Sequence, residues 1–223
     1  MKKKILFFLI VLLLLIINEV LYNKKIESFI NIQQLYKSEL KKLDKIQKKH
    51  EKNPIKHIKI IKLLSKIDCK LIIHEALEYA SINGWETQRH ENYPTTDFEL
   101  DHLPLSLVKV THKLNDIIFP TISQMYDVKK EYLYLRDLFI VKYEVGQQFK
   151  LKKHKDGSIF SFIISLNDDF EGGGTKIHNK IYKPKVGSVL IFSGQLNHSG
   201  FPITKGKRYI ITGFVNINFT EEI

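Results

Sequence analysis

Two histidines and one aspartate carry the strongest chemical signal in this chain of 223 residues. His154 and Asp156 are separated by a single residue, and His198 lies farther along the chain. Two histidines and a carboxylate form the ligand set that holds ferrous iron on one face and leaves other coordination positions open. In an extended strand, residues i and i+2 point to the same face, so His154 and Asp156 can reach one metal ion while Lys155 points away. If the three side chains converge, these residues predict an iron-dependent oxygenase.

The third ligand must come from another segment, because one strand cannot supply three ligands to one face of an octahedron. His198 follows the apolar run 188–192 and is the candidate. Arg208, ten residues further on, opens the β-prone run 208–215. Its planar guanidinium can pair with a carboxylate through two hydrogen bonds. A His-x-Asp pair alone often arises by chance, whereas the added histidine and arginine predict an iron site with an anion bound beside it.

The elements around these residues change in character along the chain. Apolar residues recur at helical spacing from Ile61 to Asn83, and a second helix is predicted from Leu105 to Tyr126 with a break near Pro120. From Tyr132 onward, short β-prone runs alternate with turns rich in Gly, Asn, Asp and Pro. Helices followed by many short strands predict a mainly β fold with N-terminal helices. We expect a double-stranded β-helix, the cupin-like jelly-roll barrel.

At these residues the chain resembles a known family. The segment from about Asp137 to Asn218 is similar to the catalytic domain of iron(II)- and 2-oxoglutarate-dependent dioxygenases, in the prolyl 4-hydroxylase and lysyl hydroxylase group. A weaker upstream likeness, at 84–85 and 89–97, is to the entry region of such domains. The matching pieces follow the family's order and spacing: Tyr143-Glu-Val-Gly146, His154-Lys-Asp156, Phe160-Ser-Phe-Ile-Ile-Ser-Leu-Asn167, Phe170-Glu-Gly-Gly-Gly-Thr175, Gly187-Ser-Val-Leu-Ile-Phe192, His198-Ser-Gly200 and Gly206-Lys-Arg-Tyr209.

The resemblance implies a role for each matching residue. Arg208 would bind the C5 carboxylate of 2-oxoglutarate, Tyr143 would hydrogen-bond this co-substrate, and Ser165 would line its site. Collagen-type prolyl 4-hydroxylases usually carry lysine where this chain has Arg208, and arginine there is more similar to lysyl hydroxylases and oxygen-sensing prolyl hydroxylases. The target residue, prolyl or lysyl, therefore stays open. The iron ligands would be His154, Asp156 and His198.

The implied activity is that of a procollagen-proline- or lysine-hydroxylase-like enzyme. It would hydroxylate a side chain of a protein or peptide with dioxygen, release succinate and carbon dioxide, and use L-ascorbate as reductant. Two alternatives stand beside it: the same chemistry on a small molecule or nucleic-acid base, and a non-catalytic, membrane-tethered jelly-roll binding module. A base-acting enzyme needs a basic, aromatic-lined groove. Residues 71–223 carry 18 basic and 18 acidic residues, so a nucleic-acid partner is not expected.

The N-terminal segment predicts contact with a membrane. Residues 1–70 carry 17 lysines against six acidic residues, which is the whole net charge of +11. Three lysines precede the apolar run 5–17, which is shorter than the roughly 20 residues of a full span and also fits a secretory signal. The absence of a small-x-small cleavage site favours an uncleaved anchor. We expect residues 1–22 to be an anchor or signal, 23–53 a lysine-rich stalk, and 54–223 the dioxygenase domain, with its barrel core at about 132–218.

The charge flanking the apolar run bears on the location of the protein. If residues 1–22 are a single-pass anchor, the lysines before the apolar run would keep the amino terminus in the cytosol. The catalytic domain would then lie in a lumen like that of the endoplasmic reticulum. The lysines after the run argue against that orientation. Cleavage of the segment as a signal would instead give a secreted protein.

Several further residues allow a functional and an ordinary interpretation. His178 could neighbour the metal, although a half-exposed strand residue is the favoured interpretation. His90 and Trp85 could line a substrate mouth or simply pack. Cys69, the single cysteine, excludes an internal disulfide framework and is expected to be buried. Four lysines crowd the first metal ligands; they are either solvated residues of a strand edge or residues that steer an acidic substrate: Lys150, Lys152, Lys153 and Lys155.

Overall fold

The computed structural model describes residues 57–218 throughout and, before them, the exposed helical residues 20–25, 27, 33–34, 37–38, 41, 44–45 and 48. The chain divides into two units, and the elements below belong to the second, Gln47–Asn218. The apolar run 5–17 lies outside the described residues. Within the described parts of the chain, no helix combines the length and apolar character needed to span a bilayer. The anchor, the stalk and their boundaries therefore stay predictions.

Residues 57–218 contain helices near their beginning and strands over most of the rest. The helices are α1 (Lys66–Asn83), α2 (Pro104–Lys113) and α3 (Phe119–Tyr126), with a π-helical turn at Leu114–Ile118. The strands are β1 (Lys59–Lys62), β2 (Asp97–Glu99), β3 (Leu133–Glu144), β4 (Leu151–His154), β5 (Phe160–Ser165), β6 (Glu171–Gly172), β7 (Thr175–Ile177), β8 (Lys180–Tyr182), β9 (Ser188–Ser193), β10 (His198–Gly200), β11 (Ile203–Lys205) and β12 (Lys207–Ile217).

The strands form two principal antiparallel sheets. One has the order β1-β9-β5-β12-β3-β2 and the other β4-β10-β7-β8, while β11 pairs with β6. Apolar side chains from both principal sheets pack together in one buried cluster, which places the core between the sheets. This is the mainly β jelly-roll architecture that the sequence predicted. Core members include Phe139, Val141, Ile163, Ile177, Tyr182, Leu190, Phe192 and Ile210.

The central strands are buried on both faces, which explains why their sequences are largely apolar. Every residue of β5 and β9 is buried. A strand covered on both faces loses the alternation of apolar and polar residues seen in half-exposed strands. One face of the larger sheet contributes to the core between the sheets, and its other face contacts the helices. The Tyr126 ring of α3 lies 4.5 Å from that of Phe160, and the Tyr79 ring of α1 lies 4.7 Å from that of Phe98.

The predicted start of the first helix, at Ile61, was wrong. Residues Lys59–Lys62 instead form β1, which pairs with β9. The helix begins after Ser65, whose hydroxyl accepts a hydrogen bond from the Asp68 N–H while the Asp68 carboxylate accepts one from the Ser65 N–H. This capping box satisfies two N–H groups at the helix start. Apolar spacing alone could not separate the edge strand from the helix, and Ile67 on the predicted apolar face is 71% exposed.

The second predicted helix is interrupted, as expected, close to Pro120. The π-helical turn at Leu114–Ile118 immediately precedes α3, and Pro120 occupies the first turn of that helix. Proline has no N–H to donate to the carbonyl four residues earlier, so a wider turn before it accommodates the lost hydrogen bond.

Candidate active site

The three predicted metal ligands meet where two strands of the smaller sheet pair. His154 ends β4, and Asp156 lies two residues beyond it. β10 pairs with β4 so that His198 is directly opposite His154, with the two ring centroids 4.2 Å apart. One ligand atom from each of the three side chains lies within 4.8 Å of the others. Strand pairing therefore brings together residues that are distant in the sequence.

Hydrogen bonds fix which nitrogen of each imidazole faces the centre. His154 Nδ1 lies 2.7 Å from the Lys152 carbonyl oxygen, and His198 Nδ1 lies 2.9 Å from that of Leu196. A carbonyl only accepts hydrogen bonds, so each Nδ1 carries the proton and each Nε2 presents a lone pair. The two Nε2 atoms lie 3.2 and 3.4 Å from the Asp156 carboxylate. Three buried hydrogen-bond acceptors that face one another fit a cation. The hydrogen bond from each Nδ1 to a backbone carbonyl is also usual for histidines that bind metal through Nε2.

Neighbouring polar groups hold the Asp156 carboxylate in place. The Ser161 hydroxyl donates a hydrogen bond of 2.6 Å to Asp156 Oδ2. The Asp156 N–H donates to the Gly194 carbonyl at 2.8 Å. Sequence reasoning did not identify Ser161, although a serine within the apolar strand β5 needs a buried hydrogen-bond partner. Ser161 orients a metal ligand without binding the metal itself.

The charges of the three ligands are coupled. Burial opposes the charged form of Asp156, but His154, His198 and Ser161 outweigh it, so the pKa of Asp156 lies below its usual value. Burial also works against protonation of His154, yet the contact with Asp156 leaves its pKa raised. Burial lowers the pKa of His198. Protons compete with a metal ion for the Nε2 and carboxylate lone pairs of these ligands, so metal affinity should fall on acidification.

The metal ligands lie in a cavity of about 360 Å³. Its wall includes the buried side chains of Tyr143 and Arg208, each 3% exposed. The segment 89–93 and Lys155, which are more accessible to solvent, also line it. The cavity therefore has a closed end at the buried Arg208 and an open end at the more exposed segment 89–93, and the three metal ligands line it as well.

Arg208 presents a buried guanidinium to the closed end. It opens β12 directly opposite Tyr143 of β3, and its Cζ lies 5.3 Å from the centre of the Tyr143 ring. Arg208 Nη1 donates to the Gly174 carbonyl at 3.3 Å. Within residues 57–218, no carboxylate forms an ion pair with Arg208, and no hydrogen bond is formed by the Tyr143 hydroxyl. Guanidinium carries five N–H donors, so the buried cation has capacity for an anion.

The two neighbouring lysines are already engaged outside the cavity. Lys205 is exposed and lies 3.2 Å from Glu171, and Lys207 lies 3.0 Å from Glu144. Neither lysine lines the cavity. Alternation along β12 points Lys207 away from the side chain of Arg208. Of these three cations, only Arg208 is placed to meet an anion in the cavity.

Three glycines that connect β6 to β7 allow the chain to approach Arg208 closely. Gly172, Gly173 and Gly174 all have positive φ, a backbone conformation that favours glycine. A Cβ on Gly173 would lie 2.6 Å from the Phe170 ring and 3.3 Å from Arg208 Cδ. The absence of side chains here lets the Gly174 carbonyl reach the guanidinium.

Other predicted residues are placed less centrally. Ser165 is buried at the end of β5, where its carbonyl accepts from Gly187 N–H and lies 4.0 Å from Cys69 Sγ, but it does not line the cavity. Cys69 is buried, as predicted. The structure therefore does not bring Ser165 into the cavity that Tyr143 and Arg208 line.

Of the three remaining candidates, His90, Trp85 and His178, only His90 lines the cavity. His90 lines the cavity, with its ring 4.7 Å from that of Phe139. Trp85 packs on Phe98 at 4.6 Å and does not line the cavity, so the packing interpretation holds for it. His178 is exposed in the turn between β7 and β8 with a φ of 50°, so its assignment to a strand was wrong. It is not part of the metal cluster.

The fold and the site define a non-haem iron centre of the facial-triad type. The sequence profile of the 2OG-Fe(II) oxygenase superfamily matches residues 138–216, which contain all three ligands and Arg208. Residues 138–216 belong to this superfamily, and 2-oxoglutarate with Fe(II) at His154, Asp156 and His198 is what the family implies.

Named relatives include lysyl hydroxylases. Procollagen-lysine,2-oxoglutarate 5-dioxygenase 1 of Rattus norvegicus is 29% identical over 169 residues, which cover 69% of this chain and 23% of the relative. The procollagen lysyl hydroxylase and glycosyltransferase of Acanthamoeba polyphaga mimivirus is 34% identical over 138 residues, covering 56% and 15%. The chain thus spans less than a quarter of the length of these relatives.

Solved structures show the same fold at low identity. The viral collagen prolyl hydroxylase of Paramecium Bursaria Chlorella virus-1 is 18% identical with a TM-score of 0.55, covering 73% of this chain and 96% of that one. A prolyl hydroxylase of Trichoplax adhaerens, in complex with a hypoxia inducible factor peptide fragment, is 12% identical with a TM-score of 0.57, covering 81% and 92%. At these identities the likeness establishes the fold.

Proposed function

We propose that this protein hydroxylates a prolyl or lysyl side chain of a protein or peptide and converts 2-oxoglutarate to succinate and carbon dioxide. The co-substrate assignment rests on the buried guanidinium of Arg208, which forms no ion pair with any carboxylate of residues 57–218. It lies in the cavity that holds the facial triad. A non-catalytic binding module would have no need for an unpaired buried cation beside such a ligand set.

Each group at the closed end has a defined task. Arg208 binds the far carboxylate of 2-oxoglutarate through its planar donors. The Tyr143 O–H donates a second hydrogen bond to the same co-substrate. Iron bound by the triad supplies the chemistry that couples decarboxylation to insertion of oxygen into a C–H bond. L-ascorbate is the proposed reductant after unproductive turnovers.

The open end favours a side chain presented by a peptide. The Tyr93 ring lies 4.8 Å from that of His154 and is 38% exposed, so it contacts both a metal ligand and solvent. The rat relative is named for action on procollagen lysine, and the structure of the Trichoplax prolyl hydroxylase is of a complex with a peptide fragment. Both support a peptide substrate, whereas the balanced charge of residues 71–223 argues against a nucleic-acid base.

Succinate formation and peptide mass together test this proposal. The full chain is incubated with Fe(II), 2-oxoglutarate and ascorbate, with peptides that contain one proline or one lysine. We expect peptide-stimulated succinate and one added oxygen atom on the target residue. Asp156→Ala is the matched inactive control. Succinate formation with a small molecule or a base but with no peptide would replace the proposed substrate class, and iron binding without any turnover would favour the binding module.

A further inference from the structure

A second groove of about 260 Å³ lies beside the metal cavity. Asn92, Tyr93 and Leu151 line both spaces, so the two are neighbours that share these side chains. Tyr93 connects the groove to the metal site, because its ring also packs on the metal ligand His154. A ligand that crosses Tyr93 can therefore occupy both spaces at once.

The second groove is positively charged and partly aromatic. Lys150 and Lys152 line it, and its lining contains no carboxylate. Both lysines are exposed, and neither forms an ion pair within residues 57–218. Phe149, which is 39% exposed, adds an apolar surface, and Lys150 Nζ lies 5.2 Å from the centre of its ring. These groups complement an acidic side chain that has an aliphatic stem.

Segment 89–96, which contributes Asn92, Tyr93 and Pro94 to the groove lining, is held in place by hydrogen bonds and ion pairs. Gln148 Nε2 donates to the Pro94 carbonyl at 3.0 Å, and Gln148 Oε1 accepts from the Thr96 N–H. At the other end of this segment, Arg89 pairs with the buried Asp97 at 2.9 Å and with Asp137 at 3.2 Å. This segment, which contributes side chains to both the groove and the cavity, is thus held at both ends by contacts within the protein.

We propose that the second groove binds an acidic side chain of an extended peptide whose target residue enters the metal cavity. This inference rests on the proposed peptide hydroxylation. In an extended peptide, side chains i and i+2 point the same way and are roughly 7 Å apart. Such spacing matches two adjacent spaces separated by one aromatic side chain. The acidic residue therefore lies within about two or three positions of the target.

Binding of a peptide series to the full chain tests the groove separately from catalysis. Fluorescein-labelled peptides carry one central proline or lysine and one glutamate, moved from the neighbouring position to a distant one. Anisotropy is measured with Fe(II) and 2-oxoglutarate in the absence of dioxygen. We expect tighter binding, about threefold to tenfold, when the glutamate is within three positions of the target, as one or two exposed ion pairs would provide.

Charge-matched variants locate the effect. The double variant Lys150→Gln/Lys152→Gln should remove the position-dependent preference, whereas Lys183→Gln/Lys185→Gln, two exposed lysines that line neither space, should retain it. A preference that is independent of glutamate position, an equal loss in both double variants, or no peptide binding would overturn the proposal. Hydroxylation is read separately by mass: a retained binding preference without an added oxygen atom would contradict the proposed activity and leave the groove assignment standing.

Discussion

At the scale of single residues, the iron ligands depend on a neighbour that binds no metal. Ser161 donates a 2.6 Å hydrogen bond to Asp156 Oδ2. Groups that orient a metal ligand typically contribute 10- to 100-fold in metal affinity, so Ser161→Ala should weaken Fe(II) binding by roughly that factor. Fe(II) titration of the two proteins measures the change. Ser193→Ala removes another buried serine, whose hydroxyl contacts the Ile159 carbonyl and the Gln195 N–H but no ligand side chain, and it should leave affinity unchanged. Equal effects would mean that Ser161 contributes only packing.

The second prediction at this scale concerns Arg208. Without Arg208, the buried C5 carboxylate of 2-oxoglutarate would have no fixed cation beside it. Truncating one partner of a buried charge pair costs roughly 2–5 kcal/mol. Arg208→Ala should therefore raise the KM for 2-oxoglutarate sharply, with little change in Fe(II) affinity. Arg208→Lys should retain partial function because it keeps the charge but loses the planar donors.

Succinate formation as a function of 2-oxoglutarate concentration measures the effect, and Lys205→Ala is its control. Lys205 is exposed and paired with Glu171, so its removal should not alter the KM. A large rise in Lys205→Ala, with none in Arg208→Ala, would move the anchor to Lys205.

At the scale of elements, a buried ion cluster holds the segment at the open end of the cavity. Arg89 lies 2.9 Å from Asp97, which is fully buried, and its guanidinium lies 4.6 Å from the centre of the Phe139 ring. Arg89→Met would leave the buried Asp97 carboxylate with only the His90 ring and the Thr95 hydroxyl as partners, and breaking a buried ion pair in this way costs roughly 3–5 kcal/mol. Urea unfolding should show this loss, and hydrogen exchange should increase in segment 86–96. Lys205→Met breaks only an exposed pair and should change stability little. A stable Arg89→Met variant with unchanged exchange would show that other contacts hold the segment.

The capping box of α1 gives a pH-dependent prediction. Hydrogen bonds from Lys109 and Ser65 lower the pKa of Asp68 from 3.8 to about 2. A group whose pKa is lower in the folded state stabilises the fold above its unfolded pKa, so this contribution is present above pH 3.8 and is lost as the pH falls towards 2. In Asp68→Asn, the decline in the free energy of unfolding over that interval should be smaller than in the wild type. Ser65→Ala should cost about 1 kcal/mol at neutral pH. Unfolding curves across the acidic range test both, and parallel curves for Asp68→Asn and wild type would contradict the assignment.

At the scale of the whole molecule, the charge and the apolar run of the N-terminal segment predict membrane association. The segment 1–70 has a net charge of +11, and residues 71–223 have none. We propose that the protein fractionates with membranes through residues 1–22 and that deleting them releases it. Carbonate extraction followed by detection of the chain measures this, and its apparent mass tells an anchor from a cleaved signal. Recovery of the unprocessed full chain in the soluble fraction would refute the proposal.

Protease protection in sealed vesicles addresses orientation. If the lysines before the run govern insertion, the catalytic domain is lumenal and protected; if the lysines after it dominate, the domain is cytosolic and degraded. Both outcomes are compatible with the same iron centre, because the site is formed within residues 57–218.

The sequence by itself identified the residues that could bind a metal ion, but it did not determine how all the residues of the site are arranged in space. Residue types and the i, i+2 spacing identified His154, Asp156 and His198, and the order of helices and strands predicted a jelly roll. Local patterns could not show that Ser165 lies away from the cavity, that Ser161 supports Asp156, or that residues 59–62 pair with β9. Those facts depend on which strands pair and in what register, because antiparallel pairing brings together residues distant in the chain. The same pairing placed Arg208 beside Tyr143. The second groove forms where residues 92–94 and 147–152 come together, since a cavity exists only when several segments enclose it.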